Sequence, residues 1–140
     1  MRLTSYALLW LLGFLFTSLI DALWHFGLFG RVYREGLRPL ARMREGRMTP
    51  RVGAALLAQI LVVTSLVILV STVAGGGTVL LAAAVGGLAG VLAISVYGVT
   101  NYALFKDWSL LLTWLEFVWG PILGALSGVF IFWAGSWLGT

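Results

Sequence analysis

Three ionisable side chains, Asp21, His25 and Glu116, lie inside long apolar stretches of this sequence. Placing such a group in lipid costs about 2.5–3.5 kcal/mol on insertion scales, so residues of this kind mark the places where a membrane chain does chemistry. Asp21 and His25 are spaced i, i+4, and one helix would hold them on one side as a carboxylate–imidazole pair. Glu116 adds a second carboxyl from far along the chain. Together they could bind a small polar group, couple that binding to protons, or serve as a general acid and base. Gln59, Thr64, Ser65, Tyr97, Thr100, Asn101 and Thr113 are uncharged polar residues within the same apolar stretches.

The elements that must position these groups follow from composition. The chain has 140 residues, of which 61% are hydrophobic and 10% charged, with a mean hydropathy of +1.02. Soluble domains carry about 25% charged residues, and one with this balance could not cover its own core. An ordinary cytosolic enzyme, a disordered chain and a nucleic-acid-binding domain are excluded. The net charge of +4 does not change this, because seven of the nine basic residues fall between Arg31 and Arg51 and form a loop signal.

A hydrocarbon core of about 30 Å needs roughly 20 apolar residues in helical form. Four stretches reach that length: about 6–29, 52–73, 79–105 and 108–138. The first continues to Phe29 without a small-residue cleavage site, so it reads as a retained helix and not a signal peptide. The fourth is long enough to tilt, kink at Pro121 or extend past the lipid. Residues 30–51 form a basic polar loop in which Arg34, Arg38 and Arg42 at i, i+4, i+8 suggest a short interfacial helix, with Pro39 tolerated early in it. Ala74 to Gly77 and Lys106-Asp107 are tight turns, which force antiparallel neighbours. The expected fold is one all-α transmembrane domain over 1–140, a four-helix up-down bundle. The arginine bias places loop 30–51 in the cytoplasm and both termini outside, with Arg2 the one contrary charge.

At 1.5 Å rise per residue, Asp21, Tyr97 and Glu116 all lie about 13 Å inside the loop-side ends of their spans, and Gln59 about 12 Å. His25 and Asn101 are one turn nearer the cytoplasm. Every span thus brings a polar group to nearly one level. Tyr97 and Asn101 share a helix side, and Glu116 leads into a stripe of Gly120, Gly124 and Gly128 that pairs with Gly86 and Gly90 as a helix-packing seam. Interhelical polar bonds are worth only about 0.6 kcal/mol on average, less than the cost of inserting two acids, so the cluster favours a site over mere adhesion. Beyond Ser65 and before Ser95 the spans are almost purely apolar. A pocket open to the cytoplasm or sideways to lipid therefore fits better than a channel. Trp24, Trp114 and Trp119 lie near the cluster level as pocket walls or packing aromatics, whereas Trp108, Trp133 and Trp137 suit the interfaces. The arginine loop sets topology and could also attract anionic lipid.

There is no cysteine and only one histidine, so no metal set is expected and no cofactor can be named. No P-loop, dinucleotide fingerprint or nucleophile elbow occurs.

The stretch from Tyr97 through Thr100-Asn101 to Lys106-Asp107-Trp108 resembles the hallmark of a family of predicted bacterial membrane proteins, domain-of-unknown-function family 2177. Glu116-Phe117-Val118-Trp119-Gly120 resembles its Asp-x-x-Trp-Gly, and Asp21-Ala22-Leu23-Trp24 with Tyr33 resembles its Asp-x-x-Trp and downstream Tyr. Gly98 and Glu116 stand where that family commonly has Asp, and His25 lies outside the pattern. The resemblance implies four membrane helices in a bacterial inner membrane and supplies no activity.

Asp21, Trp24, His25, Tyr97, Asn101, Glu116 and Trp119 are the candidate ligand-binding residues. The leading expectation is a protein that binds or transports a small molecule or lipid through this pocket. Two others stand beside it: an accessory subunit of a larger membrane complex or homo-oligomer, in which His25 could ligate a pigment, and a membrane-embedded lipid-modifying enzyme. Two carboxyls without a substrate are weak evidence for the last.

Overall fold

The computed structural model describes residues 2–140. Helix α1 (Arg2–Ala22) runs directly into a π-helical turn, Leu23–Leu28, and a short helix α2 (Gly30–Leu37) follows. Strands β1 (Met43–Arg44) and β2 (Arg47–Met48) form a small antiparallel hairpin. Helix α3 (Val52–Leu69) ends in a second π turn, Val70–Ala74. Helices α4 (Val79–Gly90) and α5 (Val96–Leu104) are joined through a third π turn, Val91–Ser95, and α6 (Leu110–Leu138) closes the chain. Four of these units are long and apolar enough to cross a membrane: Leu3–Leu28, Val52–Ala74, Val79–Leu104 and Leu110–Leu138. The protein is an all-α membrane bundle of four antiparallel spans.

The ends differ from the sequence reading by small, explicable amounts. The fourth helix starts at Leu110 and not at Trp108, because the Ser109 hydroxyl accepts from Leu112 N at 3.4 Å and caps it. Thr78 caps α4 in the same way, at 3.2 Å from Leu81 N. The loop helix is α2, which stops at Leu37, before Pro39. Leu40 N and Ala41 N both turn back to the Leu37 carbonyl, so the Arg34–Arg38–Arg42 stripe is broken. The hairpin was not foreseen. Its two central residues, Glu45 (φ 50) and Gly46 (φ 76), both have the left-handed backbone that a two-residue hairpin turn demands.

The fourth helix is the axis of the bundle. In its most hydrophobic window 39% of residues are buried, against 17–22% in the other three spans, so the others pack around it. Its inward stripe runs through Leu112, Glu116, Trp119, Gly120, Leu123, Gly124, Ser127, Gly128 and Ile131. Its tightest neighbour is α4. A methyl on Gly86 would run into the Gly124 carbonyl, and one on Gly90 into the Gly120 carbonyl. The two backbones are in direct contact, which is how helices gain packing energy in lipid. Away from the loop, Leu9, Val63, Leu66, Val67, Val70, Ala82 and Ile131 fill the interior. Polar links there include Thr17 Oγ1 to Ser127 Oγ at 3.0 Å and Trp10 Nε1 to Thr64 Oγ1 at 2.9 Å.

Helix α6 continues through Pro121. Proline has no N–H, so the carbonyl four residues back, on Phe117, loses its helical donor. The Ser95 hydroxyl, 2% exposed, donates to that carbonyl at 3.1 Å from the third π turn. A neighbouring helix thus repairs the gap. Ser95→Ala should cost about 1–2 kcal/mol, the penalty of one buried unpaired carbonyl. In a Pro121→Ala background, where the restored amide can reach Phe117, the same change should cost less than about 0.5 kcal/mol. Reversible unfolding of the four variants in mixed micelles measures the coupling, and equal costs in both backgrounds would refute the repair.

Candidate functional site

The π turn at Leu23–Leu28 places His25 where it bridges two spans. Such turns close i→i+5 and widen the helix locally. His25 Nδ1 lies 3.0 Å from the Asp21 backbone carbonyl and 3.2 Å from Asp21 Oδ1. Both are acceptors, so Nδ1 carries a proton. His25 Nε2 faces Glu116 Oε1 across a long contact of 3.5 Å. One turn along α6, Trp119 donates Nε1–H to Asp21 Oδ1 at 2.8 Å. Trp119, Asp21, His25 and Glu116 therefore form an open ring of polar contacts between the first and fourth spans, its two ends one turn apart on α6.

Aromatic rings brace this ring from behind. Trp24 stacks on Trp119 with centroids 4.3 Å apart and planes 7° from parallel. Its Nε1–H donates to the Tyr33 hydroxyl at 3.2 Å, and the Tyr33 ring lies 4.4 Å from that of His25. Tyr33 is the buried residue of α2, which also lays Gly36 against Leu112. The short loop helix thereby covers the loop-side end of the cluster. Burial pushes the Tyr33 phenol above its ordinary range, and the charge of Glu116 pushes it in the same direction. It is therefore a neutral phenol at physiological pH.

On the open side the cluster faces a cleft of about 160 Å³ to which all four spans contribute. Its polar wall consists of Asp21 and His25 from the first span, Gln59 from the second, Tyr97 from the third and Glu116 from the fourth. Gln59 is oriented by its Nε2, which donates to Ser18 Oγ on α1 at 3.1 Å. Trp24 and Trp119 stand behind the carboxylate of Asp21 and outside the cleft lining. Asn101 also lies outside it. It is 8% exposed, and its Nδ2 has no partner among the described residues, a condition shared by Trp108 Nε1. Tyr97, one turn away, is 56% exposed and packs edge-on against Trp108.

Gly98 backs directly onto the cluster. A Cβ there would stand 2.8 Å from the Glu116 Cβ. Where the resemblance implies an acid, this chain lays the bare Gly98 backbone against the Glu116 side chain, and an aspartate would have to displace that side chain or the helix that carries it. Among the described residues no group of three or more His, Asp or Glu side chains could hold a metal ion. The geometry gives the reason: His25 stands between the two carboxylates and presents a different ring nitrogen to each.

Sequence reasoning did not single out Ser18, Ser95 or Tyr33 as parts of the site. The position of Tyr33 after the Asp-x-x-Trp pattern was the one available signal. No curated protein and no solved structure matches this chain. A family described as "predicted membrane protein (DUF2177)" matches residues 6–133, a stretch that contains the whole cluster. The chain belongs to that family.

Proposed function

We propose that the protein binds a small molecule or lipid in the polar cleft among its four spans, on the side of the arginine loop, and that this loop faces the cytoplasm of a bacterial inner membrane. The observation that carries this reading is the cleft itself. Asp21, His25, Gln59, Tyr97 and Glu116 converge on it from four separate helices. Polar groups placed only to hold helices together would be used up on one another, as Thr17 and Ser127 are; these make contacts between helices and also line open space. Transport is an extension of the same reading, in which the ligand leaves by another side of the bundle. Exposed Arg34, Arg38, Arg42, Arg44 and Arg51 suit anionic headgroups at the adjacent membrane surface.

Native mass spectrometry of the chain gently extracted from its own membrane tests the reading. The expected result is a monomer or small oligomer carrying one reproducible extra mass, which Asp21→Asn and Glu116→Gln remove while leaving the protein folded. An identical adduct on wild type and both variants would refute the cleft as its binding place. Co-extraction with stoichiometric partner chains and no adduct would favour an accessory subunit.

A further inference from the structure

The polar cleft does not end at its polar wall. A second cavity of about 170 Å³ lies beside it between the second and third spans. The two cavities share Val62, Ala93, Ile94 and Leu123 in their walls. On the second span the polar cleft begins at Ala55 and the apolar cavity reaches Leu66, a path of about 16 Å at the helical rise. The upper cavity is lined by apolar side chains and Ser65, whose hydroxyl is already turned onto the Leu61 carbonyl at 2.8 Å. Water needs two to four polar partners to settle in such a space, and this one does not supply them.

The groove also opens sideways. Residues 52–58 of α3 are all exposed, and its first buried residue is Val63. Across the cleft from it Tyr97 is exposed as well. Where the two spans face each other, Ala55, Ala58 and Ala93 leave the gap unfilled. The polar end has a definite sign. Its lining holds two carboxyl groups, one imidazole and no Lys or Arg, so acceptors outnumber donors. A phosphate or carboxylate head would meet like charge there, whereas an ammonium head would donate to both acids.

We propose that the occupant is a single-chain amphiphile with a primary ammonium head, which enters from the lipid between the second and third spans. Its head lies against Asp21 and Glu116, and its chain runs up the apolar groove past Ala93. The inference rests on the cleft being a binding site and specifies what that site takes.

Binding of dodecylamine, dodecanol and propylamine to the detergent-purified full chain tests it, with Glu116→Gln and Ser65→Phe as variants. Ser65 is exposed and lines the apolar cavity but not the polar cleft, so a larger side chain there fills the groove without entering the core or the head-group site. Wild type should hold dodecylamine at least about tenfold more tightly than dodecanol, the effect of a charge-assisted hydrogen bond. Glu116→Gln should erase that ratio. Ser65→Phe should weaken dodecylamine about tenfold, as expected for a blocked chain site, and leave propylamine unchanged. Equal binding of dodecylamine and dodecanol by wild type overturns the ammonium head. Equal dodecylamine binding by wild type and Ser65→Phe overturns the chain groove, and propylamine binding that still depends on Glu116 would then leave the polar cleft standing. Binding of neither amine overturns the inference, while the adduct experiment decides the cleft separately.

Discussion

Gly124→Ala should destabilise the bundle by about 3 kcal/mol, the upper end of the range for overpacking a well-filled interior. One added methyl on Gly124 would meet the Gly86 carbonyl and stand 2.9 Å from the Gly90 nitrogen. Both obstacles are backbone, so no side chain can rotate away, and α4 and α6 would have to separate along their length. Gly87 supplies the control on the same helix pair. A methyl there would lie 3.5 Å from the Pro121 carbonyl and 3.7 Å from Ala125 Cβ, which is ordinary contact. Gly87→Ala should therefore be neutral, or stabilising by up to about 1 kcal/mol through reduced chain entropy. Unfolding in mixed micelles, followed by circular dichroism, compares the two directly. Equal losses would mean that general helix propensity and not backbone contact governs this seam.

Trp119→Phe should cost about 2 kcal/mol, the usual loss when a hydrogen bond to a charged group is removed from a protein interior. The phenyl ring keeps much of the stacking with Trp24 but cannot donate to Asp21 Oδ1, now served at 2.8 Å. Asp21 would retain only His25 as a donor among the contacts described above. Trp24→Phe is the matched comparison, because the Trp24 indole donates to the neutral Tyr33 hydroxyl. It should cost nearer 1 kcal/mol. Asp21→Asn introduced into Trp119→Phe should then add little, because the charged acceptor and its donor act as one pair. A full, additive loss in the double variant would show that the indole stabilises the protein by packing alone.

The broad architecture was legible because lipid leaves few options. Four apolar runs of sufficient length and the glycine spacing of α6 appear in the bundle as read, and connections stand where the turns Ala74 to Gly77 and Lys106-Asp107 were expected, the second widened to 105–109. The convergence of Asp21, His25 and Glu116 was legible for a similar reason, since counting residues from a span's end gives depth. Facing was less secure. Tyr97 and Asn101 are i, i+4, yet one is exposed at the cleft and the other is buried outside its lining. Both lie in the regular helix α5, so they share a side as read; what spacing does not give is how far the neighbouring spans cover each turn of it. Small hydroxyls were illegible for a different reason. Ser65, Thr72 and Ser136 donate to carbonyls of their own helices, while Ser95 crosses to another. Nothing in the residue type separates these cases. The need for Ser95 arises because Pro121 leaves the Phe117 carbonyl without its helical donor.

The uneven burial of α3 has a mechanical consequence. Its half away from the loop is anchored by Val63, Leu66 and Val67, with Val70 in the π turn that follows, while its loop-side half has no buried residue. The third and fourth spans are clamped backbone to backbone, so they form a stiff wall. Swinging the loop-side half of α3 outward breaks the Gln59–Ser18 hydrogen bond and little buried packing, because no residue there is buried. The cleft thus has one fixed jaw and one compliant jaw with its pivot near Val63, and the width of its mouth can follow the lateral pressure of the surrounding lipid.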